Sequence, residues 1–245
     1  MRITERQEKM LAIIREEKYI TVTDLAKRIF TSPSSVRRDL TELQNNGLVR
    51  RTHGGVTLPE EVSGVASFSN RKVKNTREKR LIARKAASLL HDGQTILMDG
   101  SSSVTFLLPY IAKYPNSKLY TINLSTAMDA IAKGIDTHCL GGHSIHGSMV
   151  MIGPDTCRGL EGLNADICFF SAKSLDAAGF ISDPNWEEVY ICQLMIQRSR
   201  QSVFICDSSK FRTESPYRLA SLSQISACVF DEPWNELQCR SQIML

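Results

Sequence analysis

The sequence predicts two domains of different class: a small three-helix unit carrying a β-hairpin, then a larger α/β domain built on a mostly parallel sheet. Three observations lead there. Residues 1–58 show three short helical patterns with capping signals and end in an arginine-flanked Gly-Gly pair. A stretch holding Pro59, Glu60, Glu61, Ser63, Gly64 and Ser67 then interrupts the periodicity, as a connector does. Beyond it, apolar runs of strand length recur with helical segments between several of them. A chain of 245 residues has room for both domains. The division expected is 1–58, a linker over 59–75, and 76–245.

In the first domain, Thr4 and Gln7 make a capping-box pattern ahead of Met10, Leu11 and Ile14, so a helix is expected over residues 5–18. Thr21 and Asp24 repeat the signal before Leu25, Ala26 and Ile29, giving a second helix. Ser32 is a good N-cap, and Pro33 fits the first helical position, where its missing N–H costs nothing. Val36, Leu40 and Leu43 form the buried stripe of the third helix, and Gly47 stops it. Leu48–Arg51 and Val56–Leu58 read as two strands closed around Gly54-Gly55. Three short helices and a hairpin make a winged helix-turn-helix.

Charge distribution points to a polyanion as its partner. Residues 71–85 hold eight Lys and Arg against one Asp or Glu, whereas residues 86–245 hold eleven against sixteen. A basic front half joined to an acidic back half suggests nucleic acid for the first alone. Ser32, Ser34, Ser35, Arg37, Arg38 and Thr41 lie on the exposed side of the third helix or at its edge, and Arg50, Arg51, His53, Gly54 and Gly55 form the wing. Residues near the start of such a helix reach base edges, while caps and arginines take phosphates. Ser34 and Ser35 are the expected sequence readers. His53 reads either as a turn residue or as a DNA contact.

Several classes are disfavoured. No apolar run approaches the ~20 residues a bilayer span needs, and Met1–Lys18 alternates charge and carbon as an amphipathic helix, so a cytoplasmic location is expected. The seven cysteines include no C-x-x-C pair, and Cys139, Cys168, Cys206 and Cys228 read as reduced core residues. Neither a metal nor a cofactor is expected.

The motifs Thr23-Asp24-Leu25-Ala26, Ser32-x-x-Ser35-Val36-Arg37-Arg38-Asp39-Leu40-x-x-Leu43 and Gly47-Leu48-x-Arg50-x-x-His53-Gly54-Gly55 together resemble the DeoR family of bacterial transcriptional regulators. Phe30 departs from that pattern, standing where the family commonly has a glycine, and Thr31 replaces a usual buried Val. The turn is therefore either shaped differently or strained. Phe68-x-x-Arg71-x-x-x-Asn75-x-x-x-Lys79-x-x-Ile82-Ala83 resembles the family again where the second domain begins. Arg71, Lys72 and Lys74 serve either as further phosphate contacts, as partners of the acidic domain, or as a solvated face.

In the second domain, strands are expected at Thr95–Asp99, Lys118–Asn123, His138–Leu140, Ile167–Phe170, Ser202–Asp207 and Ala227–Asp231. Helices are expected from about Thr76 and at Val104–Tyr114, Ser125–Lys133 and Val189–Arg200. Ligands of such sheets bind beyond the strands' carboxyl ends. Asp99-Gly100-Ser101-Ser102-Ser103 has the glycine, hydroxyls and N–H groups of an anion cradle. Asn123, Ser125, Gly141, Gly142, Asp207 and the cation Lys210 close neighbouring strands. The family resemblance implies a fold related to sugar-phosphate isomerases and CoA transferases, and a phosphorylated-sugar site lined by Asp99–Ser103 and Asp207–Lys210. Ser171 and Ser174 stand where the family usually has glycines, Lys173 is placed to enter the site, and Asp176 to accept a sugar hydroxyl.

The resulting expectation is a homo-oligomeric repressor of a carbohydrate operon, dimer or tetramer, that binds double-stranded operator DNA and is released by a sugar phosphate. A sugar-phosphate enzyme with a regulatory head is the rival reading, since Asp99, Asp176 and Lys210 can do acid–base work. It lacks a nucleophile–base pair or metal set. An RNA-binding or structural module fits less well, because the winged motif matches a duplex reader.

Overall fold

The computed structural model describes residues 4–17, 19–52, 54–58, 68–144 and 148–234. Two compact units divide the chain, Met1–Lys74 and Asn75–Leu245. In the first, α1 (Glu5–Glu17), α2 (Val22–Arg28) and α3 (Pro33–Asn45) share one core. Met10, Leu11 and Ile14 of α1 pack with Leu25 and Ala26 of α2 and with Val36, Leu40 and Leu43 of α3. Each of the Leu, Ile, Val and Met side chains among them contributes roughly 1.5–3 kcal/mol through burial.

The expected caps start these helices. Gln7 N–H donates to Thr4 Oγ1 at 3.2 Å while Thr4 N–H donates to Gln7 Oε1 at 3.0 Å, a reciprocal box. Thr21 Oγ1 accepts from Asp24 N–H at 3.1 Å, and Ser32 Oγ accepts from Ser35 N–H at 3.3 Å ahead of Pro33. The end of α2 resolves the alternatives left by Phe30. Phe30 N–H donates to Lys27 O at 3.2 Å and Thr31 N–H to Ala26 O at 3.0 Å, the two bonds of a Schellman turn. The glycine-type shape is kept, with Phe30 held at φ 54°.

The wing has three strands, one more than expected: β1 (Tyr19–Thr21), β2 (Arg50–Thr52) and β3 (Gly55–Thr57), in the order β1-β3-β2. Thr52 pairs with Gly55, so Gly55 belongs to β3 and the Gly54-Gly55 pair is not itself the turn. Gly54 takes φ +84°, whereas Gly55 is glycine for a different reason: a Cβ there would sit 2.6 Å from the Tyr19 ring. Leu48 and Val49, expected in the hairpin, are core residues. Within the expected linker, Phe68–Val73 forms a further helix, α4, and Val73 packs on the three-helix core.

The second unit opens with α5 (Thr76–Ala86) and contains a six-stranded parallel sheet. Its strands are β4 (Thr95–Met98), β5 (Lys118–Thr121), β6 (Asp136–Cys139), β9 (Ala165–Phe170), β12 (Ser199–Cys206) and β14 (Ala227–Phe230). The spatial order is β14-β12-β9-β4-β5-β6. The chain builds outward from β4 to one edge, then returns to β9 and builds outward to the other. The reversal lies between β4 and β9, where an open parallel sheet leaves a crevice beyond its carboxyl ends.

Alternate residues of each strand feed two cores. Ile96, Met98, Ile167, Phe169, Val203 and Ile205 face α5 and the turns that follow β4. Leu97, Cys168, Phe170, Phe204, Cys206 and Cys228 face the other side. There α8 (Pro154–Glu161) and α9 (Trp186–Gln197) pack over them. Neither α8 nor the small antiparallel sheet of β10 (Ser174–Leu175), β11 (Phe180–Asp183) and β13 (Tyr217–Ser221) was expected; β7 (His143–Ser144) and β8 (Met151–Ile152) add a short hairpin. The helix expected over Val104–Tyr114 is a 3-10 segment, Val104–Leu107, continued by α6 (Leu108–Ile111). Cys139 corrects the expectation of a core thiol, because β6 is an edge strand and exposes it. Cys168 and Cys206 are buried, and burial pushes the Cys206 thiol up to about 12, which leaves it protonated and inert.

Candidate functional site

The first unit presents its polar groups outward from a fixed helix. Val36, Leu40 and Leu43 anchor α3 in the core. Arg6 of α1 grips Asp39 from the side with two parallel bonds, Nε to Oδ2 at 2.6 Å and Nη2 to Oδ1 at 2.9 Å. Asp39 is thereby committed to orienting α3, although it belongs to the same motif as the arginines. Ser32, Ser34, Arg37, Arg38 and Thr41 are exposed and Ser35 is half-buried. Ser32 Oγ contacts both Ser34 Oγ and Ser35 Oγ at 3.0 Å, so three hydroxyls gather at a helix N-terminus that carries no acidic residue in its first turn. Such an end attracts phosphate. Thr41 donates its hydroxyl to Arg37 O at 2.9 Å. Arg50 and Arg51 are exposed on β2 and Gly54 at the tip, whereas Gly55 is buried under Tyr19; His53 lies outside the described residues.

The second unit gathers its polar groups at the sheet reversal. Asp99, which follows β4, accepts from Ser101 N–H at 2.9 Å with Oδ1 and from Ser171 N–H at 2.9 Å with Oδ2. Ser171 follows β9, so one carboxylate ties the two loops that flank the crevice. Burial pushes the Asp99 carboxyl up to about 6, against the pull of those hydrogen bonds and of Lys210. Lys210 Nζ donates to Ser171 Oγ at 2.9 Å and lies 3.9 Å from Asp207 Oδ2. Burial alone would raise Asp207, but Lys210, Ser209, Asn75 and Lys79 outweigh it and hold that carboxyl below its ordinary value. Ser208 donates to Asp231 through both N–H and Oγ, at 2.8 and 2.9 Å, which fixes the loop against the end of β14.

Two participants were not among the expected site residues. Lys79 is a buried lysine on α5 whose Nζ donates to Ser102 Oγ at 3.0 Å. Asn75, at φ 53° ahead of α5, donates through Nδ2 to Asp207 Oδ1 and to Ser209 Oγ, both at 2.9 Å. A signal for Lys79 was present: it shares the buried stripe of α5 with Ile82, Ala83 and Ala86, where a charge needs a reason. Asn75 stands in the family-like motif at the start of this domain, but its tie to the site shows only once Asp207 is placed beside it.

Among the described residues, the hydroxyls of Ser103 and Thr126 are buried and have no hydrogen-bond partner, a condition that asks for water or a ligand. Asn123 caps α7 (Leu124–Ile131), accepting from Thr126 N–H at 3.0 Å while its Nδ2 donates to Gly100 O at 3.3 Å, and Ser125 is half-buried in the first turn. Four expected residues are engaged elsewhere. Thr156 of α8 donates to Gly141 O at 2.6 Å, and a Cβ on Gly142 would collide with Thr156 and Ile152. Asp176 closes the β10–β11 turn, accepting from Phe180 N–H at 2.8 Å. Lys173 is exposed, and its backbone N–H donates to Asp183 at 2.9 Å.

A winged helix-turn-helix with an exposed basic reading helix, followed by an α/β unit with polar groups at its sheet reversal, defines a DNA-binding regulator carrying a sensing domain. Residues 6–62 match the DeoR-like helix-turn-helix domain and residues 74–232 the DeoR C terminal sensor domain, and the chain belongs to the DeoR family of transcriptional regulators. It is 28% identical to the HTH-type transcriptional regulator GolR of Listeria innocua, over 95% of this chain and 92% of that one. It is 26% identical to the glycerol-3-phosphate regulon repressor of Escherichia coli, with 95% and 92% covered. The HTH-type transcriptional repressor GlcR of Bacillus subtilis is 28% identical, with 96% and 91% covered. In fold, the chain is similar to the Pyrococcus horikoshii translation initiation factor eIF-2B, with a TM-score of 0.50 at 11% identity over 95% of this chain and 90% of that one. Ribose 5 phosphate isomerase A from Neisseria gonorrhoeae matches 54% of this chain, and 52% of its own, with a TM-score of 0.41 at 15% identity. Membership in a family of regulators decides against the enzyme reading. Among the described residues, no helix is long and apolar enough to cross a membrane, and no group of three or more His, Cys, Asp or Glu is placed to hold a metal.

Proposed function

We propose that this protein represses a carbohydrate-metabolism operon and leaves its operator when a phosphorylated sugar binds at the carboxyl ends of β4, β9 and β12. The pair Lys79 and Lys210 carries this reading. Lys79 is buried, the Lys210 side chain is 19% exposed, and each spends a charged hydrogen bond on a neutral serine. Two ammonium groups so placed can turn to a phosphate, whose charged oxygens accept more strongly than a hydroxyl does. The unpartnered Ser103 hydroxyl adds a neutral donor. Similarity to a protein named as the glycerol-3-phosphate regulon repressor supports a phosphorylated effector and the repressing sign.

Asn75 offers the route from site to output. It is the first residue of the second unit and holds Asp207 and Ser209. A ligand that draws Lys210 away from Asp207 changes what Asn75 grips, and so the start of α5. Coupling of this kind amounts to ~1–3 kcal/mol. In this reading residues 1–58 bind DNA, 59–75 connect, and 76–245 bind effector and self-associate in the cytoplasm. One helix-turn-helix covers one half-site, which calls for at least a dimer.

The test is thermal unfolding of the full-length chain against a panel of sugar phosphates and their parent sugars. One phosphate should raise the midpoint with increasing concentration while its parent sugar does not. Equal stabilisation by the parent sugar, or none by any phosphate, contradicts the reading.

A further inference from the structure

Three helices among the described residues end in the same Schellman turn, and one of them breaks the residue rule twice. After α3, Gly47 N–H donates to Gln44 O and Leu48 N–H to Leu43 O, both at 2.9 Å. After α7, Gly134 N–H donates to Ile131 O at 2.9 Å and Ile135 N–H to Ala130 O at 3.2 Å. Both turns put glycine at the left-handed position, φ +67° and +75°, and a buried aliphatic residue after it. After α2 the same two bonds form, yet those positions hold Phe30, at φ 54°, and the polar Thr31. A left-handed non-glycine residue costs roughly 1–3 kcal/mol. Burial returns nothing for it, because Phe30 is 95% exposed.

The surroundings say what covers the ring. A shallow surface depression is lined by Thr23, Lys27, Thr31 and Ser32 beside Phe30, and Lys27 Nζ also donates to Asp24 Oδ1 at 3.4 Å. A lysine, three hydroxyls and an aromatic ring suit a sugar–phosphate strand. Phe30 also stands two residues before Ser32, the N-cap of α3. When the start of α3 enters the major groove, the segment just ahead of it lies along the groove wall.

We propose that Phe30 is a DNA-contacting residue, its ring laid against the duplex beside the start of α3, on a deoxyribose face or a thymine methyl. The contact is apolar, so it adds affinity without adding charge.

The test compares full-length wild type with Phe30→Gly and Phe30→Asn, both of which tolerate the left-handed backbone, on the duplex the wild type selects from a randomised library. Each variant should keep a thermal midpoint at or above wild type, bind about tenfold more weakly, and retain the wild-type salt slope. Replacing each thymine with uracil then divides the two contacts. A loss confined to one position in wild type, and absent in Phe30→Gly, puts the ring on a thymine methyl; no loss at any position puts it on deoxyribose. Unchanged affinity in both variants overturns the proposal, and so does weakened binding accompanied by a lower midpoint. Loss of self-association at unchanged DNA affinity also overturns it, assigning the ring to a second copy of the chain.

Discussion

The two units hold the charges assigned to their proposed roles in opposite environments. On α3 and β2, Arg37, Arg38 and Arg51 stand in water on a rigid support. At the sheet reversal, Lys79, Lys210, Asp99 and Asp207 are buried or nearly so, and already engaged with serines and an asparagine. Exposed cations act over a Debye length and respond to salt; desolvated ones act at contact and respond to what replaces their partner. An output that meets a long polyanion suits the first arrangement. An input that must distinguish one small anion suits the second.

The contrast can be tested from its strongest consequence downward. Asp99 gives the largest expected effect. Its folded carboxyl titrates at about 6 against an ordinary 3.8, so burial favours the neutral form. The stabilisation that follows is complete below the ordinary value and is lost as pH rises through about 6, some 3 kcal/mol in all. Measured by denaturant unfolding, wild type should lose about that much relative to Asp99→Asn between pH 4 and pH 7. A constant difference across that range would place Asp99 in water.

Next come the buried lysines. Lys79→Met keeps the carbon stem and removes the charge, which should weaken effector binding about ten- to a hundredfold while sparing operator affinity. Calorimetric titration and a DNA-binding assay on the same preparation check both halves. A matching loss of DNA affinity would mean that the lysine maintains the fold instead. Arg38→Ala should weaken operator binding about tenfold and lower the salt slope by about one, without touching effector binding. An unchanged slope would remove Arg38 from the phosphate contacts. The smallest effect belongs to Thr41→Val: its hydroxyl is turned back to Arg37 O, so operator affinity should change by less than about threefold.

What the sequence made legible follows the same division. The first unit is built from local signals. Thr4, Thr21, Ser32 and Gly47 cap where their neighbours in sequence say they should, and the stripe Val36, Leu40, Leu43 sets which side of α3 is free. What was missed there is non-local: β1 joins the wing only because Ile20 pairs across to Val56, and Gly55 is glycine because Tyr19 lies over it. In the second unit the parallel strands were readable as apolar runs, and Asp99–Ser103 as the polar loop that follows β4. The partners that complete it were not. Ser171 reaches Lys210 across 39 positions, and Asn75 reaches Asp207 across 132. Strand order and the packing of α5 on the sheet bring such residues together, and no local pattern encodes either.

The most direct test of the switch is operator release measured by fluorescence anisotropy, with full-length wild type and Lys210→Ala titrated by sugar phosphates and their parent sugars. One phosphate should release the wild-type protein from its DNA, with the parent sugar inert and Lys210→Ala bound to DNA throughout. Release of Lys210→Ala at the wild-type concentration, or no release of wild type by any phosphate, would contradict the account.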